Sequence, residues 1–142
     1  MTQIAVADLA HYPGNARQGD VDMIAESLEV NGQYKPIVVN RGDKEPSLTN
    51  TVLCGNHTLD AAKQLGWATL DAHWVDLTAE QARRVVLVDN RANDAASYDV
   101  DALVDLLTEY PDLDGTGFTR DELDTLLEEL DAADAEVPDL SL

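Results

Sequence analysis

Apolar positions recur along the chain at two periods, and the switches between them mark out strands and helices. Ile4–Leu9 reads as a short strand or extended entry, followed by a turn-rich segment over His11–Arg17. Asp20 is placed to cap a helix through about Val30, with Val21, Ile24, Ala25 and Leu28 on one face and Asn31-Gly32 as its stop. Pro36 opens a strand, Ile37-Val38-Val39, too apolar for an edge exposed on both faces. After a polar loop over Arg41–Asn50, Thr51–Cys54 reads as a second short strand. It runs through Gly55-Asn56-His57-Thr58 into a helix carrying Leu59, Ala62 and Leu65 and stopped by Gly66. Leu70, Ala72 and Trp74 alternate with Asp71 and His73, which predicts a half-buried strand. Val38, Leu53, Leu59, Leu65 and Trp74 are expected among the buried positions.

Three helices are expected in the second half. Thr78-Ala79-Glu80-Gln81 forms a capping box that opens a helix through about Ala92. Asp99 or Asp101 begins the next, with Leu103, Leu106, Leu107 and Tyr110 as its apolar stripe. Pro111–Gly117 is a linker, and a second capping box, Thr119-Arg120-Asp121-Glu122, opens a helix carrying Leu123, Leu126, Leu127 and Leu130. There is no internal repeat. The fold class expected is α/β (α+β), a small mixed sheet with helices followed by an acidic helical extension.

Charge sharpens that division. Of 142 residues, 9 are basic and 28 acidic, a net −19. Residues 1–98 hold 8 basic and 13 acidic side chains, whereas residues 99–142 hold 1 and 15. The expected domains are therefore 1–98, an acidic extension over 99–130, and a disordered acidic tail over 131–142. Such a field opposes tight nonspecific binding to duplex DNA. The 44% hydrophobic content suffices for a core, and no apolar run approaches the ~18–20 residues that span a bilayer. No membrane partner is expected, and Met1–Ala10 lacks a signal-peptide pattern. The lone Cys54 excludes an internal disulfide and a multi-cysteine zinc site, and reads as a small buried hydrophobe.

The chemistry-bearing segment is Val52–Thr58. A strand passing through glycine into a helix presents free backbone N–H groups and the positive end of the helix dipole, a natural anion site. The same residues also suit a plain strand-to-helix turn in which Asn56 caps. Asp89-Asn90-Arg91, near a helix end, could hold Mg²⁺ and a phosphate together, or could simply form a polar helix terminus. His11, His57 and His73 have no metal-ligand spacing; His57 is of interest as a phosphate contact or proton carrier. Trp67 and Trp74 suit core and surface packing better than base stacking.

Several motifs in order carry a resemblance. Asn15-x-Arg17, then Asn31-Gly32-Gln33-x-x-Pro36-Ile37-Val38-Val39, then Gly55-Asn56-His57-Thr58 with Ala61-Ala62 and Gly66, resemble the ParB/sulfiredoxin superfamily over about Ile4–Tyr98. Asp89-Asn90-Arg91 is similar to the family's E-N-x-x-R segment. The resemblance implies a small nucleotide-binding fold with a triphosphate, CTP or ATP, at the Gly55 helix start, and Mg²⁺. The nucleotide residues implied are Asn15, Arg17, Gln33, Pro36, Gly55, Asn56, His57, Thr58, Asn90 and Arg91. Asp89 and Asn90 are the implied metal ligands, with Asp89 and His57 as catalytic candidates for slow hydrolysis.

Departures from the family pattern bear on function. His57 and Thr58 stand where G-E-R-R proteins place arginines, so bidentate phosphate clamps are missing. Asn56 stands where sulfiredoxins carry their reactive cysteine, which argues against sulfinic-acid reduction. Residues 99–142 are too few and too acidic for the DNA-gripping helix-turn-helix domain of segregation ParB proteins, and are similar to the region after ParB-like domains of phage proteins. A stand-alone phage or mobile-element nucleotide-binding protein of the bacterial cytoplasm, acting in DNA metabolism, is one expectation. The others are an enzyme of the same fold, such as a nuclease or kinase, and a non-enzymatic acidic protein or DNA mimic whose helices bind a protein partner. A homodimer is left open.

Overall fold

The computed structural model describes residues 2–14, 20–95 and 97–135, and the chain divides into two compact units, 1–96 and 97–142. The first unit is a five-stranded mixed sheet in the order β1-β5-β3-β4-β2, comprising β1 (Thr2–Ala5), β2 (Ala10–His11), β3 (Ile37–Asn40), β4 (Thr51–Cys54) and β5 (Thr69–Val75). The short strand or extended entry expected over Ile4–Leu9 is broken partway. A 3-10 turn at Val6–Asp8 sends β1 to pair antiparallel with β5 and β2 to pair parallel with β4, at opposite edges of the sheet. The turn buries Val6 and Leu9, which a straight strand would have aimed to opposite faces.

β3 is the central strand, parallel to β5 and antiparallel to β4. Its unbroken apolar run fits that place, since Ile37 and Val39 are buried. The buried Asn40 at its end is fully used: Nδ2 donates to the Leu48 and Leu77 carbonyls, and Oδ1 accepts from Leu77 N–H. A loop and the exit of β5 are thereby pinned to one side chain. In β5 the alternation buries Leu70 and Ala72 and leaves His73 exposed.

Successive β4 residues serve two cores, as strand alternation requires. Val52 packs with Leu59 and Ala62 of α2 (Asn56–Leu65), and Leu53 with Ala82 and Val86 of α3 (Ala79–Ala95). α1 (Val21–Asn31) meets α2 through Ala25, Leu28 and Ala61, the two alanines permitting close approach around Leu28. Asp20 caps α1 by accepting from Met23 N–H at 3.0 Å, and Thr78 and Gln81 exchange both hydrogen bonds of their capping box. Leu53 and Leu59 are buried as expected; Val38, Leu65 and Trp74 are only partly so. Trp74 sits at the rim of the core, with the Arg41 guanidinium 5.4 Å from its ring centroid.

The second unit contains α4 (Val100–Thr108) and α5 (Arg120–Ala135), with their own core of Val104, Leu107, Leu113 and Leu123. Asp99 caps α4, and Thr119 with Glu122 forms the box that starts α5. The buried face of α4 differs from the stripe expected. Val100, Leu103, Val104 and Leu107 turn inward, while Leu106 and Tyr110 are exposed. α4 is apolar over more than one face, so its packing against α5 decides which face is covered. α5 continues through Ala135, past the expected helix end; residues 136–142 of the expected tail lie outside the described residues. Among the described residues, no helix is long and apolar enough to cross a membrane.

Candidate functional site

The strand-to-helix junction after β4 opens into a cleft of about 390 Å³. Gly55 makes the junction. Its φ is +101°, and a Cβ there would stand 2.5 Å from Ile37 Cγ2, so both conformation and close approach require glycine. Leu59 N–H returns to the Gly55 carbonyl at 3.0 Å, beginning the helical ladder. Gly55, as N-cap, makes no side-chain cap for α2, and the first turn holds no acid. The amides of Asn56, His57 and Thr58 are the orphan donors of that helix start.

Asn56 does not cap. Its buried side chain accepts from Tyr12 N–H at 3.1 Å and donates to the Val52 carbonyl at 2.9 Å. It is a tie between the segment after β2 and the β4–α2 junction, and only its backbone is free for a ligand. His57 Nε2 is buried without a hydrogen-bond partner among the described residues. An unpaired buried nitrogen is costly, so a partner for it is expected beyond the described residues.

α3 supplies the opposite wall through Asp89, Asn90 and Asn93. Their i, i+1, i+4 spacing puts them along one side of the helix, and Asn93 Nδ2 donates back to the Asp89 carbonyl at 2.9 Å. Cys54, expected as a small buried hydrophobe, is half-buried: it packs against the Leu53 and Val86 cluster and also lines the cleft. Its thiol is pushed up from 9.0 to about 11, first by burial and then by Asp89, whose charge and hydrogen bond both hold the proton; Lys35 pulls the other way. The thiol therefore donates to the Asp89 carboxylate and is no nucleophile at neutral pH.

The cleft thus gathers Pro36, Gly55, Asn56, His57, Thr58, Asp89 and Asn90 of the expected residues. Gln33 and Arg91 are not among those lining it. Gln33 spends its amide on the Asp71 backbone, donating to the carbonyl at 2.9 Å and accepting from the N–H at 2.7 Å, and so extends the hydrogen bonding of β5. Arg91 is exposed on α3, and Asn15 and Arg17 lie outside the described residues. Two lining residues carry no expectation from sequence, Lys35 and Asn93. The helical spacing from Asp89 would have found Asn93; Lys35, beside Pro36, has no local signal. Lys35 is the cation among the described lining residues, against the single carboxylate of Asp89.

Comparison with known proteins places this architecture. The family model described as ParB N-terminal domain matches residues 1–91. Among solved structures, the chain is similar to the C-terminally truncated chromosome-partitioning protein ParB from Caulobacter crescentus complexed with CTP-gamma-S, with a TM-score of 0.71 at 16% identity over 92% of this chain and 78% of that one. The same Caulobacter protein complexed to the centromeric parS site gives a TM-score of 0.52 at 16% identity, covering 96% and 77%. A Pnob8-like ParB-N domain gives 0.52 at 13% identity, covering 96% of this chain and 49% of that one. At these identities the likeness is one of fold. A search of curated proteins gives no match. By the family match over residues 1–91, the chain belongs to the ParB N-terminal domain family.

Proposed function

We propose that the cleft binds a nucleoside triphosphate, with CTP favoured over ATP, and that its phosphates lie on the amides of Asn56, His57 and Thr58. The observation that carries this reading is the start of α2 at Gly55, without a side-chain cap, opening into a cleft beside His57 Nε2, which has no partner among the described residues. Orphan N–H groups and the helix dipole attract phosphate, and a phosphate oxygen would give His57 Nε2 a partner. The fold likeness to a protein complexed with CTP-gamma-S supports the choice of nucleotide.

Asp89 and Asn90 are the residues that would hold Mg²⁺. A single carboxylate fits an ion that arrives with the nucleotide, because Mg²⁺ commonly combines one or two carboxylates with phosphate oxygens and water. The ion would supply neutralisation of phosphate charge. With Lys35 as the described cation and no arginine pair, binding is weak, and hydrolysis is slow at best.

Isothermal titration with CTP, ATP, GTP and ADP, with and without Mg²⁺, tests the reading. A CTP Kd on the order of 100 µM with Mg²⁺ is expected. His57→Ala should weaken it and Asp89→Ala should remove the Mg²⁺ dependence. Absence of binding by every nucleotide at millimolar concentration would overturn the proposal and leave the second reading, an acidic interaction protein. The charge of residues 99–142, 1 basic against 15 acidic, favours that second reading.

A further inference from the structure

The second unit carries a feature that nucleotide binding leaves unused. Tyr98, Leu103, Phe118 and Leu126 line an open groove of about 340 Å³ whose rim holds Asp121 and Glu122. The groove is firmly built. Tyr98 and Phe118 meet edge to face at 5.9 Å, Phe118 N–H donates to Thr116 Oγ1 at 3.2 Å, and that hydroxyl donates to the Leu113 carbonyl at 2.6 Å. Thr119 and Glu122 lock the start of α5 beside it. Tyr98 in the groove is 68% exposed, and apolar exposure extends beyond it to Leu106 at 62%, Tyr110 at 58% and Leu127 at 39%. Leu103 and Leu106 stand at i and i+3, so Leu103 borders both the buried core and the exposed side of α4.

We propose that this groove receives a basic amphipathic helix of another protein. Apolar side chains of the helix fill the groove, and its Lys or Arg residues meet the acidic rim, the helix-in-groove mode of recognition. Charge selects the occupant. Residues 97–142 carry one basic side chain, Arg120, and 15 acidic ones, so they attract a cationic partner and repel an acidic one. A second copy of this chain is a poor occupant, because each copy carries a net −19. Its best candidate face, Arg84, Leu87, Val88 and Arg91 on α3, already commits Arg84 to a salt bridge with Glu80. The inference does not depend on nucleotide binding, since these groove residues all lie in the second unit.

Fluorescence anisotropy at physiological salt tests it on the full chain, with two labelled 16-residue peptides of identical Lys and Leu composition. One places leucine at i, i+3, i+4 and i+7; the other scrambles the order so that no apolar face forms. The amphipathic peptide should bind at least about tenfold more tightly than its scramble. Thr125→Arg, which fills an exposed lining position with bulk and like charge, should abolish the difference. Tyr98→Ser should reduce it severalfold, and circular dichroism should show both variants folded. Equal binding of the two peptides would mean attraction by charge alone and would overturn the proposal. So would groove variants that bind as wild type does, or a sedimentation profile in which the chain self-associates and Thr125→Arg dissociates it.

Discussion

The α2 helix leaves β4 through Gly55 with no side-chain cap and no acid in its first turn, whereas α5 begins at a reciprocal box between Thr119 and Glu122 with Asp121 beside it. In α5 the first-turn acids face their own helix dipole and help satisfy its orphan donors, so the terminus is closed by the chain itself. In α2 the equivalent donors open onto a cleft, beside a histidine nitrogen that has no partner among the described residues. A helix start that its own sequence completes contributes to folding; one left incomplete beside a cleft is available to a ligand.

The largest test of this contrast is Gly55→Ala. The added Cβ would meet Ile37 at 2.5 Å in a left-handed conformation, and a loss of about 2–4 kcal/mol is expected from urea denaturation. Tolerance of that change would mean that the junction is not constrained as described. Asn56→Ala comes next. It strands the Tyr12 N–H and the Val52 carbonyl, for a loss of about 1–3 kcal/mol, so a binding defect in this variant would report structure as well as contact.

Much of the fold is legible in the sequence because its signals are local. Asp20, Thr78, Asp99 and Thr119 all start helices by hydrogen bonds spanning three residues, and such spacing is written in the chain. The exposed side of α4 is not legible, since Val100 and Val104 compete with Leu106 and Tyr110 and only the packing against α5 decides. The site divides in the same way. The Gly55 junction and Asp89 with Asn90 are read from short motifs and do meet in one cleft. Gln33 goes instead to Asp71, 38 residues away, and Asn56 to Tyr12, 44 residues away, pairings that no local pattern encodes.

Thr119→Ala sharpens the comparison from the other side. Loss of the α5 box should cost about 0.5–2 kcal/mol, read from a thermal melt, and should leave nucleotide titration unchanged. The smallest effect concerns pH. The Cys54 thiol is raised from 9.0 to about 11, so the folded state holds its proton longer than the unfolded chain does. Its contribution to stability is complete below about pH 9 and is lost as pH rises towards 11. Denaturation midpoints should therefore fall over that window more in wild type than in Cys54→Ser. Equal slopes would mean that burial beside Asp89 does not hold the thiol proton in the folded state.

The most direct measurement compares both helix starts in one experiment, a ¹⁵N–¹H correlation spectrum titrated with CTP and Mg²⁺. The account predicts saturable shifts of the Asn56, His57 and Thr58 amides, while those of Arg120, Asp121 and Glu122 stay fixed. Unmoved α2 amides at millimolar CTP, or equal movement at both helix starts, would contradict it.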